Sequence, residues 1–363
     1  MDFGLAQEQR MLQESLSGFL SNHGGLARTR AFAAAKDTRA TDVLAGLANL
    51  GITGIVIDEA HGGVGLSLLD AALVAELLGY HVTPAPFVAS AVLVPLALQG
   101  AGSETQQNRW LPPLAAGSIT AGVALSELAG ARMDAGVECR QGRLYGKALF
   151  VIDYEADVYV VADRARVLHL VEASAAGLTR QQLNTVDITR PTGELMFDGV
   201  SADPLISAST ASYPAFIQSL LDAGRVMLAA DTLGAAQNML DQAVAYAKTR
   251  EQFGRPIASF QAVKHMCAEM AAALEPCRAL VWYAGHALTA LPDEASVTAC
   301  HAKAHLAEVG TRVARTSTEV HGGMGFTDLV GLHYWFKRIG LNRQLLGGPQ
   351  AVRAEAARLQ ALA

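Results

Sequence analysis

The chain alternates between two hydrophobic rhythms. Near its start Leu5, Gln9, Leu12, Leu16 and Phe19 to Leu20 recur at three- and four-residue steps, the spacing of an amphipathic helix. Ala- and Leu-rich stretches at Val43 to Leu50 and Ser67 to Gly79 continue that rhythm, with the glycine-punctuated loop Gly51 to Gly65 between them. After Gly117 the pattern changes. From Ile119 to about Ile206 short β-branched runs, such as Val158 to Val161 and Val167 to Val171, are separated by turn residues at Gln141-Gly142, Asp187 and Pro191-Thr-Gly193. From Tyr213 the helical rhythm returns in long segments, Ala215 to Arg250 and Gln261 to Leu291. The pattern predicts an α+β chain with a helical domain at 1–118, a β domain at 119–208 and a second helical domain at 209–363.

Composition narrows the picture. A chain of 363 residues with 51% hydrophobic content can bury a large core. The formal net charge of −6 and the absence of any Lys/Arg block argue against a nucleic-acid partner. The first twenty or so residues lack a basic start followed by an unbroken apolar run, so they do not read as a signal peptide. The apolar stretch from Phe87 to Leu98 is broken by Pro95 and too short to span a bilayer. The expected location is the cytoplasm. Cys139, Cys267, Cys277 and Cys300 show no metal-type pairing and are expected to be buried reduced thiols. His301 and His305 with Glu308 have helical spacing that could in principle hold a metal, but a solvated helix face explains them and no metal site is expected.

Two stretches carry candidate ligand chemistry. In Tyr246 to Lys264, Arg250 closes a helix, Phe253-Gly254 makes a turn, and Pro256 restricts the chain before Gln261 opens the next helix. A guanidinium beside a glycine turn can grip a pyrophosphate, and glutamine can read an adenine edge. Compensation of a helix C-terminus is the alternative role for Arg250. Later, Glu319-Val-His-Gly-Gly-Met-Gly-Phe326 places Gly322 and Gly323 where backbone can approach a phosphate closely.

Together these stretches resemble the C-terminal signature pair of the acyl-CoA dehydrogenase family, flavoproteins that desaturate acyl thioesters between Cα and Cβ. The resemblance runs the length of the chain and includes the Asp58 to Gly65 loop. It implies three domains ending in a four-helix bundle, FAD as cofactor, an acyl-CoA substrate and an electron-transfer flavoprotein as acceptor. It further implies a tetramer, homomeric or heteromeric, in which Arg250, Phe253, Gln261, Glu319, Gly322 and Gly323 contact the FAD of a neighbouring subunit. Glu319 departs from the family's usual glutamine and, beside a pyrophosphate, would need to be protonated or paired with Arg315 or Arg343. On the β domain, Val123 to Gly130 with Asp134 resembles the segment that binds the flavin ring, and Ser126 matches best; Leu128 and Arg132 depart from the pattern. Phe150, in a strand like the one that shields the flavin, is either an aromatic lid or core.

Desaturation needs a carboxylate to take the α-proton while the β-hydrogen leaves as hydride to the flavin. At both positions where the family places that glutamate, this chain has glycine: Gly224 before Arg225, and the loop Gln344-Leu-Leu-Gly-Gly-Pro349. Asp231 lies two turns beyond Gly224 on the same helical face, within about 20°. With Gly224 and Gly234 it is expected to flank a groove open to a bulky acyl group, opposite an apolar stripe of Val226, Leu233, Leu240, Val244 and Ala247. Asp231 is therefore the candidate base; a helix carboxylate paired to a neighbour is the alternative. By the resemblance, Asp222 and Arg225 are expected substrate contacts.

The leading expectation is an FAD-dependent dehydrogenase for bulky or ring-bearing acyl thioesters, of the kind found as heteromeric bacterial enzymes acting on steroid side chains. The alternatives are a non-catalytic subunit that completes the FAD site while its partner supplies the glutamate, or another thioester reaction such as hydration or oxygen-dependent oxidation.

Overall fold

The computed structural model describes residues 4–35, 39–130, 135–206 and 212–362. Arg132 and Asp134 lie outside the described residues.

The chain opens with helices α1 (Gln7–His23), α2 (Gly25–Ala35), α3 (Thr41–Asn49) and α4 (Leu68–Tyr80). A π-helical turn over Phe87–Leu93 leads into α5 (Val94–Ala101), followed by α6 (Glu104–Ala115). Leu16 and Leu20 of α1 are fully buried, as the opening periodicity predicts. Capping boxes start two of these helices: Ser67 with Asp70 at α4, and Ser103 with Gln106 at α6. Asp70 also accepts a hydrogen bond from Gln9 Nε2 at 2.9 Å, tying α1 to α4. No helix among the described residues is long and apolar enough to cross a membrane.

The β region comprises β1 (Ala121–Ala124), β2 (Gly136–Arg140), β3 (Arg143–Ile152), β4 (Val158–Ala162), β5 (Leu168–Glu172), β6 (Leu178–Gln182), β7 (Thr192–Ser201) and β8 (Asp203–Pro204). They form one sheet in the order β6-β7-β3-β1-β4-β5-β8, with β2 paired to β3 off that path. The β1–β4 pair is parallel and the others are antiparallel. The β3–β7 register slips between Ala148 and Val151, and Phe150 within the slip has φ of +52°. A bulge of this kind bends the strand and re-aims a side chain.

Helix α7 (Tyr213–Thr249) would run about 55 Å at the usual rise per residue. A short hairpin, β9 (Glu251–Gln252) and β10 (Arg255–Pro256), joins it to α8 (Gln261–Ala290), and then follow α9 (Pro292–His321), α10 (Leu332–Gln344) and α11 (Pro349–Leu359). Helices α7 to α10 pack as a bundle, with α11 against α9 and α4 in the groove of α7 and α8. The expectation that α7 shows one apolar and one ligand-facing stripe is corrected: from Leu220 to Ala236 every residue is buried. The two glycines of the expected groove serve packing instead. A methyl at Gly234 would lie 1.7 Å from the Glu76 carbonyl oxygen of α4, and one at Gly224 would lie 2.4 Å from Leu346 Cδ1. Cys277 and Cys300 are buried thiols as expected, whereas Cys139 is exposed on β2.

Candidate active site

A cleft of about 560 Å³ opens between the sheet and the end of the bundle. One wall is the turn Ser126–Ala129 after β1 together with Leu149 and Phe150 of the bulge; the other is the loop Leu345 to Gly348 after α10, with Val186 from the β6–β7 connection at the rim. The bulge explains the first wall. The Leu149 amide, displaced from the regular ladder, donates to Glu127 Oε1 at 2.7 Å, and the Ser126 hydroxyl donates to the Phe150 carbonyl at 3.2 Å. Both side chains therefore hold the half-buried Phe150 against the cleft. Glu127 is the carboxylate among the described lining residues, and burial, partly offset by the Leu149 amide, raises its pKa.

The second wall is built on unusual backbone. Leu346 adopts φ of +54°, a conformation few branched residues take, and Gly347 follows at +107°. The Leu346 side chain fills the notch that Gly224 leaves in α7, where a methyl would also lie 3.2 Å from Leu93 Cδ1. The space a side chain at position 224 would need is occupied by the cleft wall itself.

Asp231 lies outside the cleft lining, 2% exposed. Its Oδ2 accepts from Arg190 Nη2 at 2.8 Å and Arg338 Nη1 at 3.0 Å, and its Oδ1 accepts from Asn342 Nδ2 at 2.7 Å. Arg338 also donates through Nε to Asp187 at 3.0 Å and through Nη2 to the Thr83 carbonyl at 3.1 Å and the Thr189 hydroxyl at 2.6 Å. Burial alone would raise the Asp231 pKa, but the Arg190 and Arg338 charges and the Asn342 amide outweigh it and hold the carboxyl below its ordinary value. The expectation of a base at Asp231 is revised on this geometry, because a proton acceptor needs a raised pKa and a free oxygen facing substrate. Asp231 instead joins α7 to α10 and to the β6–β7 connection.

Asp222 and Arg225 meet a similar correction as substrate contacts: both are fully buried and already engaged. Arg225 grips Glu355 of α11 with both terminal nitrogens, at 2.9 and 2.7 Å, and reaches Asp222 at 3.2 Å. Asp222 also accepts from Ser296 at 2.6 Å. Burial raises the Asp222 pKa, opposed by Ser296, Arg225 and Gln218. Asp222, Cys300 and Glu355 come close enough to share a cation, but the Arg225 guanidinium occupies that space. His301 and His305 are exposed on α9, and Glu308 pairs with Arg343 at 2.8 Å.

The predicted cofactor stretches come together at the far end of the bundle. Tyr246 of α7 stacks on His321 of α9 with ring centroids 4.5 Å apart, which sets the β9–β10 hairpin beside the glycine run Gly322–Phe326. Arg250, Phe253, Gln261, Glu319, Gly322 and Gly323 are all exposed. Phe253 and Gly254 both have positive φ, at +56° and +71°, in the two-residue loop of the hairpin. Phe253 is 91% exposed and Phe326 is 83% exposed.

Sequence reasoning missed Glu127, Arg190, Lys303, Arg338 and Asn342. Lys303 carried a signal, since it falls on the stripe Ala299, Lys303, Leu306 and Gly310, all buried in α9.

Comparison with known proteins matches this architecture. The family model "Acyl-CoA dehydrogenase, N-terminal domain" covers residues 6–118, and "Acyl-CoA dehydrogenase, C-terminal domain" covers 215–359. The chain is 31% identical over 353 residues to acyl-CoA dehydrogenase IpdE2 of Mycobacterium tuberculosis, covering 95% of each chain. Among solved structures it is similar to a variant of the Tcur3481-Tcur3483 steroid ACAD, with 30% identity, a TM-score of 0.86 and 98% of each chain covered. It is also similar to the ChsE4-ChsE5 complex of Mycobacterium tuberculosis, with 25% identity, a TM-score of 0.90 and 100% of each chain covered. The chain belongs to the acyl-CoA dehydrogenase family, whose members are FAD flavoproteins.

Proposed function

We propose that this chain is the FAD-binding subunit, without a carboxylate at either family position, of a heteromeric acyl-CoA dehydrogenase for a bulky or ring-bearing acyl thioester. Its three domains are bounded at 1–118, 119–208 and 209–363, and an electron-transfer flavoprotein accepts the electrons. The observation that carries this reading is the Gly224 notch filled by Leu346, with Gly347 beside it, while Asp231 is locked between two guanidiniums. The cleft thus receives no carboxylate from either family position, and the glutamate comes from the partner subunit. Heteromeric relatives, the ChsE4-ChsE5 complex and the Tcur3481-Tcur3483 steroid ACAD, favour that arrangement and that substrate class.

The residues present suit the cofactor. The cleft has the volume of a small-molecule site and walls of Leu149, Phe150, Leu345 and Leu346. A methyl at Gly130 or Gly340 would meet nothing within 4 Å among the described residues, so neither position crowds the cleft. Bound FAD would supply the hydride acceptor. Ser126 and Glu127 hold the bulge that presents Phe150 to the ring, and the Leu345 to Gly348 wall excludes water from the acyl group. Across the assembly, Arg250, Phe253, Gln261, Gly322 and Gly323 would meet the phosphates and adenine of a neighbour's cofactor, with Glu319 at the edge of that contact.

The visible spectrum of the chain, expressed alone and co-expressed with a homologue that carries the glutamate, tests this reading with straight-chain and ring-bearing acyl-CoAs. Flavin bleaching is expected only in the co-expressed assembly. Bleaching by the chain alone, lost in Asp231→Asn, would restore a self-sufficient enzyme with Asp231 as base. Bleaching alone that survives Asp231→Asn and is lost in Glu127→Gln would assign the proton to Glu127.

A further inference from the structure

Lys303 is a buried cation in an unfavourable place. It lies on α9, 3% exposed, and its Nζ donates to the carbonyl oxygens of Asn342 at 2.6 Å and Arg343 at 3.2 Å. Those carbonyls belong to the last turn of α10, where a helix leaves its C=O groups without intrahelical partners. The charges that act on Lys303 are two guanidiniums, Arg225 and Arg343, and burial together with both of them pushes the ammonium down to about 7. Arg225 has Glu355 and Asp222 to balance it. Lys303 is held by backbone oxygen alone among the hydrogen bonds found, and a methionine would fill the same stripe without the desolvation penalty.

The placement of the carbonyls gives the lysine a purpose. Asn342 and Arg343 are separated by Gln344 alone from Leu345 and Leu346, which line the cleft. Three residues beyond Arg343, the Leu346 carbonyl accepts from Arg225 Nε at 3.1 Å. Two buried cations, one from α9 and one from α7, thus hold the backbone on both sides of the point where α10 ends. Leu346 between them carries positive φ, a strain that persists only where surroundings over-determine it.

We propose that Lys303 is a positioning residue which, with Arg225, clamps residues 342–346 so that the Leu345 to Gly348 wall keeps the shape that receives the acyl thioester. The inference rests on the cleft being the thioester site, but the clamp itself is a property of the protein without ligand. A neutral amine still has two N–H donors for its two carbonyls, so the clamp holds on both sides of the lysine's titration.

Hydrogen exchange of the full-length chain, wild type against Lys303→Met, tests the clamp. Amides of Asn342 to Leu345 are expected to exchange about tenfold faster in the variant, with the middle of α9 and of α10 unchanged. Lys303→Gln, which keeps N–H donors, should recover part of the protection. In the co-expressed enzyme, Lys303→Met should raise KM for a ring-bearing acyl-CoA more than it lowers kcat. Exchange at 342–345 that stays within twofold of wild type, or rises equally along all of α9 and α10, would overturn the proposal. Failure of both variants to fold would overturn it too, by making Lys303 a folding residue. Faster exchange without any effect on KM would leave the clamp standing and reject the cleft as the thioester site.

Discussion

At Asp231 the sequence offers a carboxylate on the right face of the right helix, and what decides its chemistry is two arginines far away in the chain. Arg190 and Arg338 stand 41 and 107 residues from it. Asp231→Asn removes one negative charge from beneath two buried guanidiniums, and breaking such a pair is strongly destabilising. The expected loss is about 3 kcal/mol, read as a lower denaturation midpoint. A stability within about 0.5 kcal/mol of wild type would show that the cluster does not need this charge. Lys303 gives a pH signature of its own. The unfolded chain keeps the lysine protonated up to its ordinary value of 10.5, the folded chain only to about 7. Between those values the unfolded state holds more protons, so this group makes stability rise with pH from about 7 to 10.5. The rise should be shallower in Lys303→Met when the two proteins are compared by denaturation across that range. Neither role was legible in the sequence, because side-chain chemistry here is set by contacts between domains rather than by helical spacing. A lysine on a buried stripe was the one local clue.

The elements themselves were largely legible. Periodicity placed α1, α4, α7 and α8 within a few residues, and β-branched runs marked β4 and β5. The bulge at Phe150 was not legible, since a register slip depends on the partner strand, and it is the slip that turns Phe150 to the cleft and frees the Leu149 amide for Glu127. The α7 glycines show the same limit: local propensity marks them as weak points, whereas in the structure they are sockets. Gly224→Glu, which would restore the family's helix carboxylate, is expected to destabilise the protein by about 2 kcal/mol or more through overpacking against Leu346 and Leu93. Adding Leu346→Ala should make the two changes couple favourably, since the smaller side chain empties the notch. Strict additivity in the double-mutant cycle would mean that the notch is not what excludes the carboxylate.

On the scale of the whole molecule, the helix, sheet, helix order and the two signature stretches were enough to give the family, while the assembly remains written on the surface. The end of the bundle that carries Arg250 and the glycine run also exposes Phe253, Phe326 and Leu329, three large apolar side chains facing solvent. Exposed patches of this kind mark interaction sites, and a phenylalanine at positive φ in a hairpin loop is a strained way to leave a ring in water. On the proposed reading, the exposed residues beside these rings would meet the phosphates of a cofactor seated in another subunit. Phe253→Ser should therefore leave the fold intact, with a circular-dichroism spectrum like wild type, because the side chain supports no core. In the co-expressed assembly the same change should loosen the oligomer and lower the flavin-to-protein ratio together, measured by sedimentation and absorbance on one sample. Loss of flavin with the oligomer intact would place Phe253 on the cofactor alone. An unchanged oligomer with full flavin would remove this end of the bundle from the interface and, with it, the shared-cofactor arrangement.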